Sequence, residues 1–293
     1  MATPLAGTTA VPLATNTTGA ATLMARPTDE LVLAEQRGRV LLLTLNRPAK
    51  LNAWTAGLED QYFALLAEAD DDPRVWAIVV TGAGRGFCSG ADLGDLKDAA
   101  GASPQDVLRP RPRDFPLSVR KPIIGAINGV AAGLGMVEAL YFDVRFGGPS
   151  TRFTTAFARR GLIAEYGISW LLPRLIGPSR ACDLLLSSRM VDANEAHRIG
   201  LLDHLVAGQD VAEAAVEYAN DLAMHCSAQS MAIIKRQLRR DAAGPYEEAV
   251  ARAAQLMLES FHGPDVLEGV ASHLEKRAPN FPALPAGSTR VHL

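Results

Sequence analysis

Cysteine is scarce in this sequence of 293 residues. The three cysteines, Cys88, Cys182 and Cys226, are far apart and form no CxxC pair. This spacing argues against a disulfide framework and against a zinc site, and the six histidines also lack metal-ligand spacing. We therefore expect a reducing, cytoplasmic setting and no bound metal.

Excess charge and long apolar segments are missing as well. A net charge of −3 gives no general attraction to nucleic acid or to an anionic membrane. Because no run of about eighteen apolar residues occurs, the sequence predicts no transmembrane helix. Residues 1–28 are rich in Ala, Thr and Pro, and Arg26 is their only basic residue, so we expect a disordered tail rather than a secretory signal.

The composition that remains is typical of a globular protein with a sizeable core, since 48% of the residues are hydrophobic and 21% are charged. Continuous apolar runs at Val75–Val80 and Ile123–Ile127 predict strands that are covered on both faces. Helical periodicity dominates the last third of the chain. We expect an α/β fold with a core at residues 29–207 and a helical C-terminal region at residues 208–293.

Two stretches in the core join a strand-like run to small residues. They are Gly86–Leu93, which reads GFCSGADL, and Ile123–Phe146, which reads IIGAINGVAAGLGMVEALYFDVRF. Small residues at such turns leave backbone N–H groups free to bind a ligand oxygen, which is how a fold builds an oxyanion site. Close packing of helix on strand also favours Gly and Ala, so either turn alone is ambiguous. The proline-rich segment Asp98–Val119 shows no periodicity and predicts a mobile loop over the site.

Five motifs in order resemble the enoyl-CoA hydratase/isomerase family, also called the crotonase superfamily. The motifs are LNRPAKLNA at residues 45–53, FCSGADL at 87–93, KPIIGAINGVAAGLG at 121–135, DVRF at 143–146 and EKRAPNF at 275–281. The resemblance covers roughly residues 29–285 and implies a spiral of ββα units whose C-terminal helices form trimer contacts. It also implies an acyl-CoA substrate, a homotrimer or dimer of trimers, and no cofactor beyond the coenzyme A moiety of the substrate.

The same resemblance assigns residues to the site. The oxyanion donors are the backbone N–H groups of Ala91 and Leu134, and a Leu in place of the usual Gly does not remove that donor. Lys276 and Phe281 match residues that reach a ligand bound to a neighbouring subunit. The positions expected to line the coenzyme A and acyl channel are Lys50, Leu51, Ala53, Ser89, Ala91, Asp92, Leu93, Gly133, Val137 and Phe157.

The catalytic acids of the family's hydratases are absent at their usual positions. Hydratases hold a water between two glutamates, and these positions fall on Val137 and Phe157, which have no titratable group. Glu138 is one residue further along the helix and is rotated by about 100°, so it is expected to point elsewhere. The ordinary hydratase mechanism is therefore in doubt.

Glu165 is the carboxylate that remains, in the stretch GLIAEYG at residues 161–167. This stretch resembles the loop in which Δ3,Δ2-enoyl-CoA isomerases of peroxisomal type carry a catalytic glutamate. We therefore expect a one-base isomerase with Glu165 as the base. Alternatives are a hydratase that uses Glu165 or a displaced Glu138, a non-catalytic acyl-CoA binding protein, and C–C bond cleavage on an acyl-CoA. If Glu165 is not catalytic, it is an acidic side chain at a helix N-terminus, where its negative charge interacts favourably with the helix dipole.

Overall fold

The computed structural model describes residues 30–99, 109, 111–208 and 210–287. The predicted disordered tail at residues 1–28 lies outside these ranges, as does most of the predicted loop between residues 100 and 110. Among the described residues, no helix has the length and apolarity that crossing a bilayer requires.

Ten strands occur in the described part of the chain. Their bounds are β1 Val32–Arg37, β2 Val40–Leu45, β3 Ala77–Gly82, β4 Gly86–Cys88, β5 Ile123–Ile127, β6 Val130–Ala132, β7 Val144–Gly147, β8 Arg152–Thr154, β9 Val191–Asp192 and β10 His204–Leu205. They form a six-stranded sheet in the order β1-β2-β3-β5-β7-β10 and a four-stranded sheet in the order β4-β6-β8-β9.

Ten α-helices occur in the same ranges. Their bounds are α1 Ala56–Asp71, α2 Leu93–Ala99, α3 Leu134–Tyr141, α4 Ile168–Ile176, α5 Pro178–Ser187, α6 Ala193–Ile199, α7 Val211–His225, α8 Ala228–Asp241, α9 Tyr246–Phe261 and α10 Pro264–Glu275. Three short 3₁₀ helices cover Pro48–Lys50, Phe115–Ser118 and Ala158–Arg160. All ten strands therefore precede helices α7 to α10.

From β3 to β8, successive strands alternate between the two sheets, and this alternation produces the spiral. β3, β5 and β7 pair in parallel in the first sheet, while β4, β6 and β8 pair in parallel in the second. β1 and β2 form an antiparallel hairpin at one edge. Every residue of β3 and β5 is buried, as their continuous apolar runs predict. Helix α7 covers the outer face of the first sheet with Ala215 and Ala219, which are fully buried.

Residues 98–119 are more ordered at their ends than the sequence predicts. Helix α2 extends to Ala99, and Phe115 begins a 3₁₀ helix with a proline in its first turn. The Phe115 ring packs 5.4 Å from the Phe63 ring of α1 and is 8% exposed. Burial of this aromatic side chain fixes the end of the segment, although the segment has no helical periodicity.

Candidate active site

The candidate site lies where three parallel strands of the second sheet end. β4, β6 and β8 run in the same direction, with Cys88 opposite Ala131 and Ala131 opposite Phe153. Because their carboxyl ends meet at one edge of the sheet, the turns that follow them also meet there. These turns begin at Ser89, Gly133 and Thr155.

The Ala91 N–H group is oriented by Trp54. Trp54 donates its backbone N–H to the Gly90 carbonyl at 2.7 Å and accepts the Asp92 N–H at 2.9 Å, which makes an isolated parallel bridge between Trp54 and Ala91. In such a bridge the neighbours of Ala91 make both bonds, so the Ala91 N–H points away from Trp54. This N–H has no hydrogen-bond partner among the described residues.

Leu134 supplies a second free donor. It is the first residue of α3, and Gly133 before it provides no side-chain cap. The first N–H groups of a helix have no partner within the helix, and the helix dipole places partial positive charge there. The Leu134 N–H makes no hydrogen bond within the described part of the chain.

The two turns are in direct contact. A Cβ atom placed on Gly90 would lie 2.7 Å from the Ala132 carbonyl oxygen and 3.6 Å from the Leu134 nitrogen. Gly90 also has a φ of +96°, a conformation that favours glycine. This close approach brings the Ala91 and Leu134 donors to one cavity, which suits a single ligand oxygen that accepts from both.

The cavity at this edge has a volume of about 290 Å³, and most of the residues predicted for the site line it. The predicted residues on its wall are Lys50, Ala53, Ser89, Ala91, Asp92, Leu93, Gly133, Leu134, Phe157 and Glu165. Gly90, Ala156, Arg160 and Leu162 also line it. The structure thus gathers residues from four separate segments.

Four predicted residues do not line this cavity. Val137 is fully buried in the core behind Leu134. Leu51, at φ +49°, contacts Gly86 and accepts the Ser89 N–H at 3.0 Å through its carbonyl, so it supports the turn from behind. Lys276 follows α10 in a left-handed conformation, and Phe281 packs near Gly269 of the same chain.

Asp92 lines the cavity but is already engaged. Its carboxylate pairs with Arg47 at 3.1 Å and accepts the Gly94 N–H, also at 3.1 Å, at the start of α2. The Gly94 and Arg47 hydrogen bonds lower the pKa of Asp92, so this residue is a stable anion. An engaged anion positions the loop and is a poor proton acceptor.

Glu165 differs from Asp92 because its side chain has no ion pair or hydrogen bond within the described part of the chain. It is half-buried on the cavity wall, and burial raises the pKa of its carboxyl group. Tyr166 and Gly167, which follow it, both have positive φ values, of 52° and 78°. A partly desolvated carboxylate beside two free N–H donors can move a proton next to a bound carbonyl.

Glu138 points away from the cavity, as its position on the helix predicts. It is fully buried, accepts a hydrogen bond from the Tyr62 hydroxyl at 2.8 Å and lies 3.6 Å from Arg113. Burial raises its pKa to about 7, and Arg113 opposes that shift. Glu138 thus belongs to a separate group of side chains.

We call this group the Arg113 cluster, and define it as Trp54, Glu59, Tyr62, Arg113 and Glu138. The Arg113 guanidinium lies 4.0 Å from the centre of the Trp54 ring and 3.2 Å from Glu59. Glu59 also accepts the Trp54 indole N–H at 2.9 Å. No sequence pattern pointed to Arg113, because it lies in a proline-rich segment far from its partners along the chain.

Asn52 is another functional position that sequence reasoning passed over. Its fully buried side chain accepts the Arg47 N–H at 2.8 Å and donates to the carbonyls of Ala83 and Gly86 at 3.0 and 2.8 Å. These bonds tie the loop that carries Lys50 and Ala53 to the strand that leads into the first turn. A buried Asn in the LNA tripeptide was the available signal, since buried amides need partners.

Comparison with known proteins gives a consistent identification. The profile of the family described as enoyl-CoA hydratase/isomerase matches residues 35–283. The chain is 33% identical over 258 residues to 1,2-epoxyphenylacetyl-CoA isomerase of Escherichia coli strain K12, covering 86% of this chain and 98% of that protein. It is 34% identical over 257 residues to the enoyl-CoA hydratase EchA19 of Mycobacterium tuberculosis, covering 85% of this chain and 95% of that protein.

Solved structures agree with these sequence matches. The crystal structure of enoyl-CoA hydratase from Bacillus anthracis superposes with a TM-score of 0.79 at 27% identity, covering 86% of this chain and 99% of that chain. The spiral fold expected from the motifs is therefore confirmed. Since the profile spans most of the sequence and relatives above 30% identity match over nearly their whole length, the chain is an enzyme of the enoyl-CoA hydratase/isomerase family.

Proposed function

We propose that this enzyme isomerises 3-enoyl-CoA to 2-enoyl-CoA with Glu165 as its single base. The observation that carries the proposal is the pairing of one free carboxylate with two free N–H donors around one cavity. Among the described residues on that wall, Glu165 is the carboxylate without an ion pair, while Asp92 is held by Arg47. Ala91 and Leu134 supply the donors.

The reaction moves one proton and one double bond. The thioester oxygen accepts hydrogen bonds from the Ala91 and Leu134 N–H groups, and Glu165 removes a proton from C2. The electrons of the C2–H bond form a dienolate whose negative charge lies largely on that oxygen. Glu165 then returns the proton to C4, the double bond moves from C3–C4 to C2–C3, and the enzyme is regenerated. No external oxidant, reductant or further cofactor is required.

The magnitudes are adequate for this scheme. An oxyanion donor contributes about 3 to 4 kcal/mol to transition-state stabilisation, and a well-placed general base contributes about 10²- to 10⁴-fold in rate. The raised pKa of Glu165 strengthens it as a base because the proton it accepts is held more tightly. Phe157 and Leu162 on the wall keep the site apolar, which strengthens these electrostatic effects.

Isomerisation is favoured over hydration because hydration needs a second acid beside the water. Phe157 is the apolar residue on the wall where that acid would stand, and Glu138 is engaged in the Arg113 cluster. The E. coli relative is named as an isomerase of an acyl-CoA, a reaction with no net addition of water, which supports isomerisation here. Other relatives are named as hydratases, so hydration of 2-enoyl-CoA is the outcome that a test must distinguish.

The test uses purified protein with 3-enoyl-CoA and with 2-enoyl-CoA in separate assays. We expect the absorbance of the conjugated thioester to appear with the first substrate, and Glu165→Gln to lower kcat by about 10²- to 10⁴-fold. Glu247→Gln, at an exposed position of α9, is the matched control and should retain full rate. Full rate in Glu165→Gln would contradict the assignment of Glu165 as the base. If the native enzyme removes the absorbance of 2-enoyl-CoA faster than it produces this absorbance from 3-enoyl-CoA, it is a hydratase.

We also propose assembly as a homotrimer or a dimer of trimers through the C-terminal helices. Helices α8 to α10 expose large apolar side chains that a monomer would leave in water. They include Leu238 at 70%, Tyr246 at 77%, Leu267 at 72% and Leu274 at 75% exposure. The contribution of Lys276 and Phe281 to a neighbour's ligand stays a prediction of this assembly. Sedimentation analysis should give three or six chains, and a monomer at micromolar concentration would contradict it.

A further inference from the structure

A second and larger cavity lies outside the candidate active site. Its volume is about 1090 Å³, and no residue on its wall also lines the 290 Å³ cavity. We call it the basic cavity, and its wall comes from the segments 113–120, 166–171 and 229–243 together with Tyr141 and Leu284. Tyr166 and Gly167 line the basic cavity, whereas Glu165 lines the active-site cavity. One turn thus contributes to both walls.

Positive charge dominates the wall of the basic cavity. Its six cationic residues are Arg113, Arg120, Lys235, Arg236, Arg239 and Arg240, and Asp114 is its one acid among the described residues. Four of the cations pair with carboxylates that are not on the wall. Arg113 pairs with Glu59 and Glu138, Arg120 with Asp70 and Asp71, and both Lys235 and Arg239 with Asp143.

Part of this positive charge has no internal partner. Arg236 and Arg240, one turn apart on α8, form no ion pair with any described residue. The Nη1 atom of Arg239 is buried without a hydrogen bond in the described part of the chain. Lys235 is 9% exposed, and burial lowers its pKa to about 8 because the charged form is desolvated. An added anion would offset the cost of burying the Lys235 and Arg239 groups, while Arg236, which is half-buried, and Arg240, which is exposed, would offer it unpaired positive charge.

Apart from the charged residues, Ser118 and Gln229, the wall is mainly apolar and aromatic. Trp170, Leu171 and Ile233 line the cavity beside the arginines. A wall that is largely apolar with a few convergent charged groups is typical of a site for a small organic ligand. We infer that the basic cavity binds a small organic anion that carries a phosphate or carboxylate on an apolar body, at a site separate from the acyl-CoA site.

Direct binding tests this inference without any acyl-CoA present. Phenyl phosphate, benzoate and inorganic phosphate are titrated into the native chain by calorimetry, with benzyl alcohol as the uncharged comparison. We expect one aromatic anion per chain and no binding of the alcohol, and the stronger of phenyl phosphate and benzoate identifies the anionic group. The double variant Arg236→Gln/Arg240→Gln should weaken binding at least tenfold, because each lost charge-assisted contact weakens binding by about tenfold or more.

The matched control is Arg198→Gln, whose side chain is 68% exposed on α6 and which should bind like the native chain. Equal affinity of the double variant and the native chain would overturn the inference. Displacement of phenyl phosphate by coenzyme A would also overturn it, because the anion would then occupy the acyl-CoA site. The inference would also be overturned if the native chain bound no anion and the double variant changed the number of chains per particle. The wall of the basic cavity would then form contacts between copies of the chain. Turnover by Glu165 is measured separately, so the two proposals can fail independently.

Discussion

Glu165 and Glu138 are two carboxyl groups whose pKa values burial raises, yet their surroundings differ. Glu165 is half-buried on the wall of a cavity and has no counter-charge among the described residues. Glu138 is fully buried, and Tyr62 and Arg113 contact it. The larger rise in pKa occurs at Glu138, which lines neither the active-site cavity nor the basic cavity.

This difference shows that a perturbed pKa does not by itself identify a catalytic base. A base must reach the proton that it removes, so access and nearby oxyanion donors matter before titration does. The Arg113 cluster affects the proposed oxyanion site indirectly. Arg113 stacks on the Trp54 ring, and the Trp54 backbone orients the Ala91 N–H. In the proposed mechanism, the region around Glu165 transfers the proton, and the Arg113 cluster holds a turn in place.

Arg113→Met should have the largest effect on stability, because it disrupts the cluster around Glu138 and removes no residue from the cavity wall that Glu165 lines. Removal of this cation leaves Glu138 buried without a positive partner, whereas Glu59 keeps Arg109 at 3.5 Å, and breaking a buried ion pair costs about 3 to 5 kcal/mol. Urea denaturation should show this loss in the free energy of unfolding. The matched control is Arg111→Met, because Arg111 is exposed, its guanidinium lies 5.1 Å from the centre of the Phe115 ring, and it forms no ion pair with a described residue. Equal stability of the two variants would show that Arg113 does not stabilise the cluster.

Gly90→Ala should damage the catalytic region with a smaller effect on stability. The new Cβ would lie 2.7 Å from the Ala132 carbonyl oxygen, at a φ of +96° that an L side chain rarely adopts. The turn must shift and carry the Ala91 N–H with it, so kcat should fall by about 10²- to 10³-fold, as for loss of an oxyanion donor. Gly94→Ala, where φ is not positive, should retain activity. Unchanged kcat in Gly90→Ala would argue against Ala91 as a donor.

Glu138→Gln should change how stability depends on pH. The pKa of Glu138 rises from an ordinary value of 4.5 to about 7 on folding, so the folded state favours the protonated form. The stability from this group is fully present below pH 4.5 and is lost as the pH rises through about 7. The native protein should therefore lose up to about 3 kcal/mol between pH 5 and pH 8 that the variant does not lose. Parallel stability curves for the two proteins would contradict this.

The sequence allowed the strands and the two turns to be predicted because each has a local signal, whereas Glu165 was singled out by the resemblance of its loop to that of the family's isomerases, and its role as a base stays a prediction. Continuous apolar runs marked β3 and β5, and small residues after β4 and β6 marked the turns. The rotation of the α3 helix also predicted that Glu138 faces away from the site. These inferences needed only the chain within a few residues.

The Arg113 cluster and the basic cavity could not be predicted in the same way. Arg113 contacts side chains of α1 and α3 that are many residues away, and its own segment has no periodicity. The wall of the basic cavity combines α8 with the residues around Tyr166, and no sequence pattern in either segment predicts that the two lie together. Such features depend on how elements pack, which local propensity does not determine.

The fall of kcat/KM at low pH tests which of the two carboxyl groups controls the rate, and it is the smallest effect expected. Glu165 must be ionised to act as a base, so kcat/KM should fall as the pH falls through its pKa. Burial raises that pKa, and the midpoint should therefore lie above the ordinary value of a glutamate carboxyl. Glu138→Gln should leave the midpoint in place, since Glu138 does not line the cavity. A midpoint near pH 7 that disappears in Glu138→Gln would instead identify Glu138, whose pKa is about 7, as the group that controls the rate.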